Sequence, residues 1–513
     1  MQTSLTSRVQ SGVFWNTLSV SSTYLAGLIR SIVVARLLMP DDFGLIGMAL
    51  TVVAGLNALT SIGVEIPVIK RKFKSDEELA THLNTIWTVD LIRRTILAIL
   101  LALLAYPVAK FYREVRLYEI LLLFSLLPLI QGLQNIGLLI YRKQLKFRRI
   151  VWLELTTNFL TVTTTIALVV WTRNVWALVL SQLAAAVIGV VLSYLFHPFR
   201  PRLAFDKDVF SLILSFGKYA VLLGTLGYIM QMADNILIGR LFNAAVLGTY
   251  VIAYNLATLP IHGLVSVIGS VTFPAYAEIS SGANVIEGSI PMTPWFGRKL
   301  PTLPASKDSK RLEQAFVRVF AISSLVLALT TALLMLLGDE IVILLYGTKW
   351  AAAGTILRIL SLLVFCRGCS VLVSPLLVSI RGIQPDAKVK LVEVGIFLAL
   401  LYPLTSSFGA LGAAWAGAIA FFVTMINRLY FAGTLLPGIA KTIRRTIFCS
   451  VMATATGVAL GALAIVKIEN ITSRLLLGGS AIAIVVTGVL LLLLPELRTE
   501  GERLFATVKK RTA

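Results

Sequence analysis

Apolar residues run along this chain in long, nearly uninterrupted stretches rather than in alternation. Leu475 through Leu494 is one such run, with no charge inside it. A hydrocarbon core ~30 Å thick takes roughly 20 helical residues to cross, and this run has that length. In lipid only helices and closed barrels satisfy every backbone polar group. Strand-like alternation is absent and the runs are too long for barrel strands. The pattern predicts spans near 13–38, 42–69, 82–109, 117–140, 150–171, 174–197, 210–238, 245–275, 312–337, 351–380, 388–405, 409–433, 443–466 and 473–494, about fourteen in all. The fold class is therefore all-α integral membrane.

Composition agrees, with 57% hydrophobic and 14% charged residues, against about 25% charged in a soluble domain. A net charge of +21 would suggest nucleic acid in a soluble protein. Here the cations sit in the short segments between apolar runs. If the spans alternate from an inner N-terminus, about 31 of the 46 Lys and Arg residues fall inside and about 9 outside. That bias places both termini in the cytoplasm and calls for an even number of spans. No nucleic-acid partner is implied. The outer loops, such as 39–42 and 346–350, are too short for a folded domain. The longest connection, 276–311, holds Pro291, Pro294, Pro301 and Pro304 and reads as an extended cytoplasmic loop. The N-terminus shows no cleavable signal, so the first helix should direct insertion. Cys366, Cys369 and Cys449 all lie in apolar runs and read as small buried hydrophobes, not metal ligands. No phosphate-cradling loop is present, which argues against ATP hydrolysis by the chain itself.

A weak internal repeat gives the domain organisation. ARLLMPDDFGLIGMA (35–49) aligns with GRLFNAAVLGTYVIA (239–253), matching Arg36 to Arg240, Leu37 to Leu241, Gly44 to Gly248 and Ala49 to Ala253. Each copy joins an odd span to the next through an outer turn. The offset of about 204 residues equals six spans, so the copies are parallel repeats about an axis along the membrane normal. The expected domains are an N-terminal lobe over 1–200, a C-terminal lobe over 201–435 carrying the loop 276–311, and an added helix pair with a basic tail over 436–513. The two lobes are pseudo-symmetric, six helices each.

These motifs, with the basic YRKQLKFRR (141–149), MADNILIGRLFNAAVLGTYVIAY (232–254), FPAYAEI (273–279) and LLYGTKWAAAGTILRILSLLVFCRG (344–368), resemble the oligosaccharide flippases of the multidrug/oligosaccharidyl-lipid/polysaccharide exporter superfamily. The resemblance covers roughly residues 10–430. It implies two lobes about a central cavity, alternating access, and an undecaprenyl-diphosphate-linked oligosaccharide as substrate, in a multi-pass protein of the bacterial cytoplasmic (inner) membrane. A polysaccharide polymerase and glycosyltransferases are the protein partners it suggests. The chain departs from the family at 280–310, which is longer than expected, and at Glu65 and Asp90, where small or neutral residues are expected.

Charges inside spans carry the candidate chemistry, because they are costly in lipid and usually face a cavity or a partner. Arg30, Arg93, Arg94, Arg358 and Arg367 are expected to line a cationic lumen, with Asp234 and Asn235 beside the substrate path. Arginine suits that role because its guanidinium pairs with phosphate through two hydrogen bonds. Asp90, Asp234 and Glu393 are the candidates for coupling to H⁺ or Na⁺; no other cofactor and no metal are implied. Asp90, Arg93 and Arg94 stand at i, i+3 and i+4, so one helix face carries both signs. Gly27, Gly55, Gly63, Pro67, Gly224, Gly227, Pro260 and Gly263 are candidate hinges. Asp41 and Asp42 begin a span and suit helix capping. They could also serve a membrane glycosyltransferase or polymerase, but no outer loop is large enough to hold a sugar acceptor, and the chain is expected not to be an enzyme. A drug/cation antiporter of the same superfamily would favour acidic lumen residues, whereas the deep charges here are mainly arginine.

Overall fold

The structure is a computed structural model that describes residues 5–60, 73, 75–144, 146–261, 263, 307–381 and 383–498. It is helical almost throughout, with no strand among the described residues. The helices are α1 (Leu5–Leu37), α2 (Pro40–Thr60), α3 (Asp76–Tyr112), α4 (Arg116–Phe124), α5 (Leu126–Gly132), α6 (Leu138–Lys143), α7 (Phe147–Thr172), α8 (Val175–Phe196), α9 (Lys207–Leu241) and α10 (Ala244–Ile261). They continue as α11 (Lys307–Tyr346), α12 (Ala351–Arg381), α13 (Ile383–Phe408), α14 (Ala410–Leu435), α15 (Pro437–Ile465) and α16 (Ile471–Leu493). The chain packs as two compact units, 1–251 and 252–513.

Helix ends carry the caps that the sequence supplies. Ser75 accepts a hydrogen bond from Glu78 N at α3, Asn174 from Trp176 N at α8, Asp206 from Asp208 N and Val209 N at α9, and Asn470 from Thr472 N at α16. Each satisfies amide donors that the first helical turn leaves without a partner. Along the spans, hydroxyls bond back to the preceding turn, as Thr157 does to Leu153 O and Thr165 to Thr161 O. Large apolar side chains face outward, including Leu103 (68% exposed), Phe159 (69%) and Ile484 (73%). In water such a surface would drive association; in lipid it is the normal exterior.

Twelve described segments are long and apolar enough to cross a bilayer, and the protein is a multi-pass membrane protein. Two of the fourteen expected spans are not among them. The stretch 210–238 lies within α9, a continuous helix of 35 residues whose second half carries Gln231, Asp234 and Asn235. The stretch 117–140 is not one helix: it divides into α4, α5 and the start of α6. The loop expected over 276–311 lies, up to residue 306, outside the described residues, as do Gly63, Glu65 and Pro67. Cys366, Cys369 and Cys449 are buried free thiols.

The two repeat copies touch each other. An ideal Cβ on Gly44 would fall 1.7 Å from Ala244 O, and one on Gly248 would fall 1.9 Å from Pro40 O. Pro40 and Ala244 are themselves repeat mates, so each copy lays its glycine on the first residue of the other. Even the caps are complementary. In one copy Asp42 accepts from Met39 N at 3.0 Å; in the other Asn243, the mate of Met39, accepts from Val246 N at 3.0 Å. Helices approach this closely only where a side chain is missing.

In the second unit α11 bends at Leu337 (φ −104°, ψ 17°). Just beyond the bend Asp339 pairs with Arg358 of α12 at 2.5 Å, and Glu340 with Arg474 of α16 at 3.2 Å. Gly354 admits the contact, since a Cβ there would lie 2.6 Å from Asp339 Cα.

Gly44→Ala and Gly248→Ala should each destabilise the protein by about 1–3 kcal/mol or more, because the clash is with backbone and cannot be relieved by a rotamer change. Gly27→Ala, which meets nothing within 4 Å, should be neutral or stabilise by up to about 1 kcal/mol. Thermal denaturation of the three detergent-solubilised variants checks both expectations.

Candidate functional site

Helix α3 brings Trp87, Asp90, Arg93 and Arg94 onto one face, roughly 20 Å along the helix from its capped start at ~1.5 Å per residue. At that depth a lone charge would be costly, and these three charges hold one another. Asp90 Oδ1 accepts from Arg93 Nη2 at 2.7 Å and Nε at 2.9 Å, while Oδ2 accepts from Arg94 Nε at 2.7 Å. One further donor of each guanidinium reaches a neutral group. Arg93 Nη1 donates to Thr60 Oγ1 of α2 at 3.1 Å, and Arg94 Nη1 to Gln131 Oε1 of α5 at 2.9 Å. Gly132 lets α5 approach over Arg94, because a Cβ there would sit 3.3 Å from Arg94 Cδ.

This triad lines a cavity of about 860 Å³ inside the first unit. Tyr24 of α1, Gln134, Arg142 of α6 and Glu154 with Asn158 of α7 also face it. Its far wall is a polar seam between α1 and α7. Ser19 donates to Glu154, and Asn158 Nδ2 donates to Thr23 Oγ1 at 2.7 Å. The cavity therefore carries three arginines and two carboxylates.

The break between α5 and α6 makes room for it. Asn135 is buried, with every polar group used. Its N–H donates to Ser193 Oγ at 3.0 Å, its Nδ2 to His197 O and Phe199 O at 3.1 and 2.8 Å, and its Oδ1 accepts from Gly137 N at 2.9 Å. Gly137 is needed there, since a Cβ would lie 2.5 Å from His197 Nδ1. Two backbone donors at the break, those of Asn135 and Gly137, are thus satisfied inside the protein, as depth in a bilayer demands.

Of the residues expected to form the site, the structure brings together Asp90, Arg93 and Arg94. The others lie elsewhere. Arg30 is half-buried on α1, away from the cavity lining. Asp234 is buried in α9 and accepts from Tyr250 Oη at 2.7 Å; Asn235 Nδ2 contacts Met232 Sδ at 3.5 Å. In the second unit Arg358 is held by Asp339, and Arg367 donates to Tyr254 Oη at 3.1 Å while lying over Phe421. Glu393 is fully buried, with Oε1 on Lys390 Nζ at 3.1 Å and Oε2 without a hydrogen bond among the described residues. Among the described residues no cluster of His, Cys, Asp or Glu could hold a metal ion.

Gln131, Gln134, Arg142, Glu154 and Asn158 are among the lining residues that were not expected from the sequence. Two paired i, i+4 spacings were the available signal: Ser19 with Thr23, and Glu154 with Asn158.

Residues 33–289 match the family model described as Polysaccharide biosynthesis protein. The chain belongs to this family. It is similar to the lipopolysaccharide biosynthesis protein WzxC of Escherichia coli, 22% identical over 426 residues, covering 81% of this chain and 77% of that protein. It is also similar to the succinoglycan biosynthesis transport protein ExoT of Rhizobium meliloti, 21% identical over 359 residues, covering 69% and 66%. The fold matches an inward closed structure of the lipid II flippase MurJ at TM-score 0.71 and 14% identity, covering 93% of this chain and 98% of that one. An inward-facing structure of a multidrug resistance MATE family transporter of the MOP superfamily matches at TM-score 0.60 and 14% identity, covering 82% of this chain and 96% of that one. The expected fold class and family are both met.

His197 offers a check on the node beneath the cavity. Its Nδ1 accepts from Phe199 N at 3.1 Å and its ring meets Tyr141 edge-on. Burial, then the cations Arg149, Arg200 and Lys146, push its pKa below the ordinary value. The unfolded chain then binds a proton below pH about 6.5 that the folded protein refuses. Stability is complete above that pH and falls as pH drops through it. His197→Gln should therefore lose less Tm than the wild type between pH 7.5 and 5.5 in a detergent melt.

Proposed function

We propose that this protein flips a polyprenyl-diphosphate-linked oligosaccharide, with undecaprenol as the carrier, from the inner to the outer leaflet of the bacterial cytoplasmic membrane. It acts by alternating access and serves cell-surface polysaccharide export, next to the glycosyltransferases that build the unit and the polymerase that joins it. It moves its substrate without making or breaking a bond in it. The observation that carries this reading is the arginine-bearing polar cavity inside the first unit, in a chain of the polysaccharide biosynthesis family. Arg93 and Arg94 supply planar donors for phosphate oxygens, and Gln131, Gln134 and Asn158 supply neutral partners for sugar hydroxyls. Three arginines against two carboxylates favour an anionic head group over the cation of a drug antiporter.

The six-helix lobes over 1–200 and 201–435, with the added pair over 436–513, are the bodies we assign to the transport motion. The reciprocal glycine contact of α2 and α10 supports the repeat on which that assignment rests. A membrane potential negative inside favours outward movement of an anion by ~2.3 kcal/mol per charge per 100 mV. Of the three acids named for coupling to H⁺ or Na⁺, Glu393 suits the role best. Asp90 already holds two arginines and Asp234 holds Tyr250, whereas Glu393 keeps one buried oxygen without a hydrogen bond.

Translocation of a fluorescent lipid-linked oligosaccharide in proteoliposomes tests the reading. The wild type should flip it, and Arg94→Glu should reduce the rate at least tenfold, the scale of one lost charge-assisted hydrogen bond. Arg30→Glu, away from this cavity, should have the smaller effect. Unchanged flipping in Arg94→Glu would remove the cavity from the mechanism.

A further inference from the structure

Asp90 stands where its family resemblance calls for a small or neutral residue, and its geometry gives it a task. It uses both carboxylate oxygens to hold two arginines that face the same cavity. The three side chains are only 16–20% exposed, so the exchange they can make is with whatever enters that space. Each arginine has a second, neutral anchor outside the ion pair, Thr60 for Arg93 and Gln131 for Arg94. Those anchors hold the guanidinium planes in position when the carboxylate is not on them.

We propose that Asp90 is a displaceable internal counter-ion. An oxyanion of the substrate takes its place on Arg93 and Arg94, and Asp90 takes the arginines back as the substrate leaves. The inference rests on the cavity being the head-group site. Three features carry it. A phosphate presents more oxygens than the one carboxylate it replaces, so it can engage both guanidiniums through paired hydrogen bonds. The opposite wall bears Glu154 on α7, which repels an oxyanion and leaves the α3 side as its place. A transporter must also release what it binds, and a carboxylate at i−3 and i−4 is a tethered competitor at high local concentration.

The oxyanion can come from the diphosphate of the lipid carrier or from the carboxylate of an acidic sugar, and two probes separate these sources. Binding of farnesyl diphosphate and of glucuronate to the full-length protein in detergent is measured by calorimetry for wild type, Asp90→Asn, Asp90→Ala and Arg94→Gln. Asp90→Asn and Asp90→Ala should bind the matching probe on the order of tenfold more tightly, and Arg94→Gln on the order of tenfold more weakly. In proteoliposomes Asp90→Asn should nevertheless flip more slowly than the wild type, and Asp90→Glu should recover part of the rate. A purely structural Asp90 would give weaker binding and slower flipping together.

A gain with farnesyl diphosphate assigns the exchange to the carrier, and a gain with glucuronate alone assigns it to the sugar. If Arg94→Gln weakens binding but neither Asp90 variant tightens it, displacement is overturned while the head-group site stands. If Arg94→Gln leaves binding of both probes unchanged, the site itself is wrong and the displacement falls with it.

Discussion

A charge inside a bilayer must be answered by another charge or by hydrogen bonds, and the interior of this protein is organised by that constraint. Asp90 answers Arg93 and Arg94, Asp339 answers Arg358, Glu340 answers Arg474, and Lys390 answers Glu393. These pairs differ in setting. The Arg358 and Asp339 side chains are 41% and 36% exposed, about twice as open as the α3 triad. The triad also differs in having one acid serve two bases, which leaves a net positive charge on a cavity wall. The paired acids and bases of the second unit are electrically complete.

The second constraint is steric. The two aligned segments, 35–49 and 239–253, meet at a pair of glycines. Gly44 lies on Ala244 and Gly248 on Pro40, aligned position against aligned position, so the contact is reciprocal. Such a contact is self-complementary in the way that a symmetric dimer interface is, although one chain supplies both sides. It explains why Gly44 and Gly248 align while most of the surrounding residues do not. The backbone approach fixes these two positions, whereas the lipid-facing and packing positions around them need only stay apolar.

Much of this was legible before the structure. Span length and the sidedness of Lys and Arg follow from bilayer thickness and insertion, so the helical architecture could be read from runs such as 475–494. The Asp90, Arg93 and Arg94 grouping could be read from i, i+3 and i+4 spacing, because a helix settles which side chains share a face. What failed to show were features made by residues distant in sequence. The break over 133–137 depends on Asn135 finding Ser193, His197 and Phe199, about 60 positions away. Arg358 reads as a deep lone cation until Asp339 arrives from the preceding helix. Glu154 was passed over because its partner Ser19 lies 135 residues earlier.

The two sides of the cavity are joined with unequal strength. On the α3 side the cavity wall is made of charge-assisted hydrogen bonds, which contribute about 1.5–3 kcal/mol each. On the other side α1 lies mainly along α7, and the polar contacts across this seam include Ser19 with Glu154 and Thr23 with Asn158. The second of these is neutral, of a kind that contributes about 0.5–1.5 kcal/mol. Lipid tails are as apolar as Leu and Val, so helices in a membrane are held together by close van der Waals packing and by interhelical hydrogen bonds rather than by a hydrophobic drive. Between helices the α3 side is joined by Arg93 to Thr60 and Arg94 to Gln131, each with a charged donor, whereas the seam between α1 and α7 pairs one bond to a carboxylate with one neutral bond.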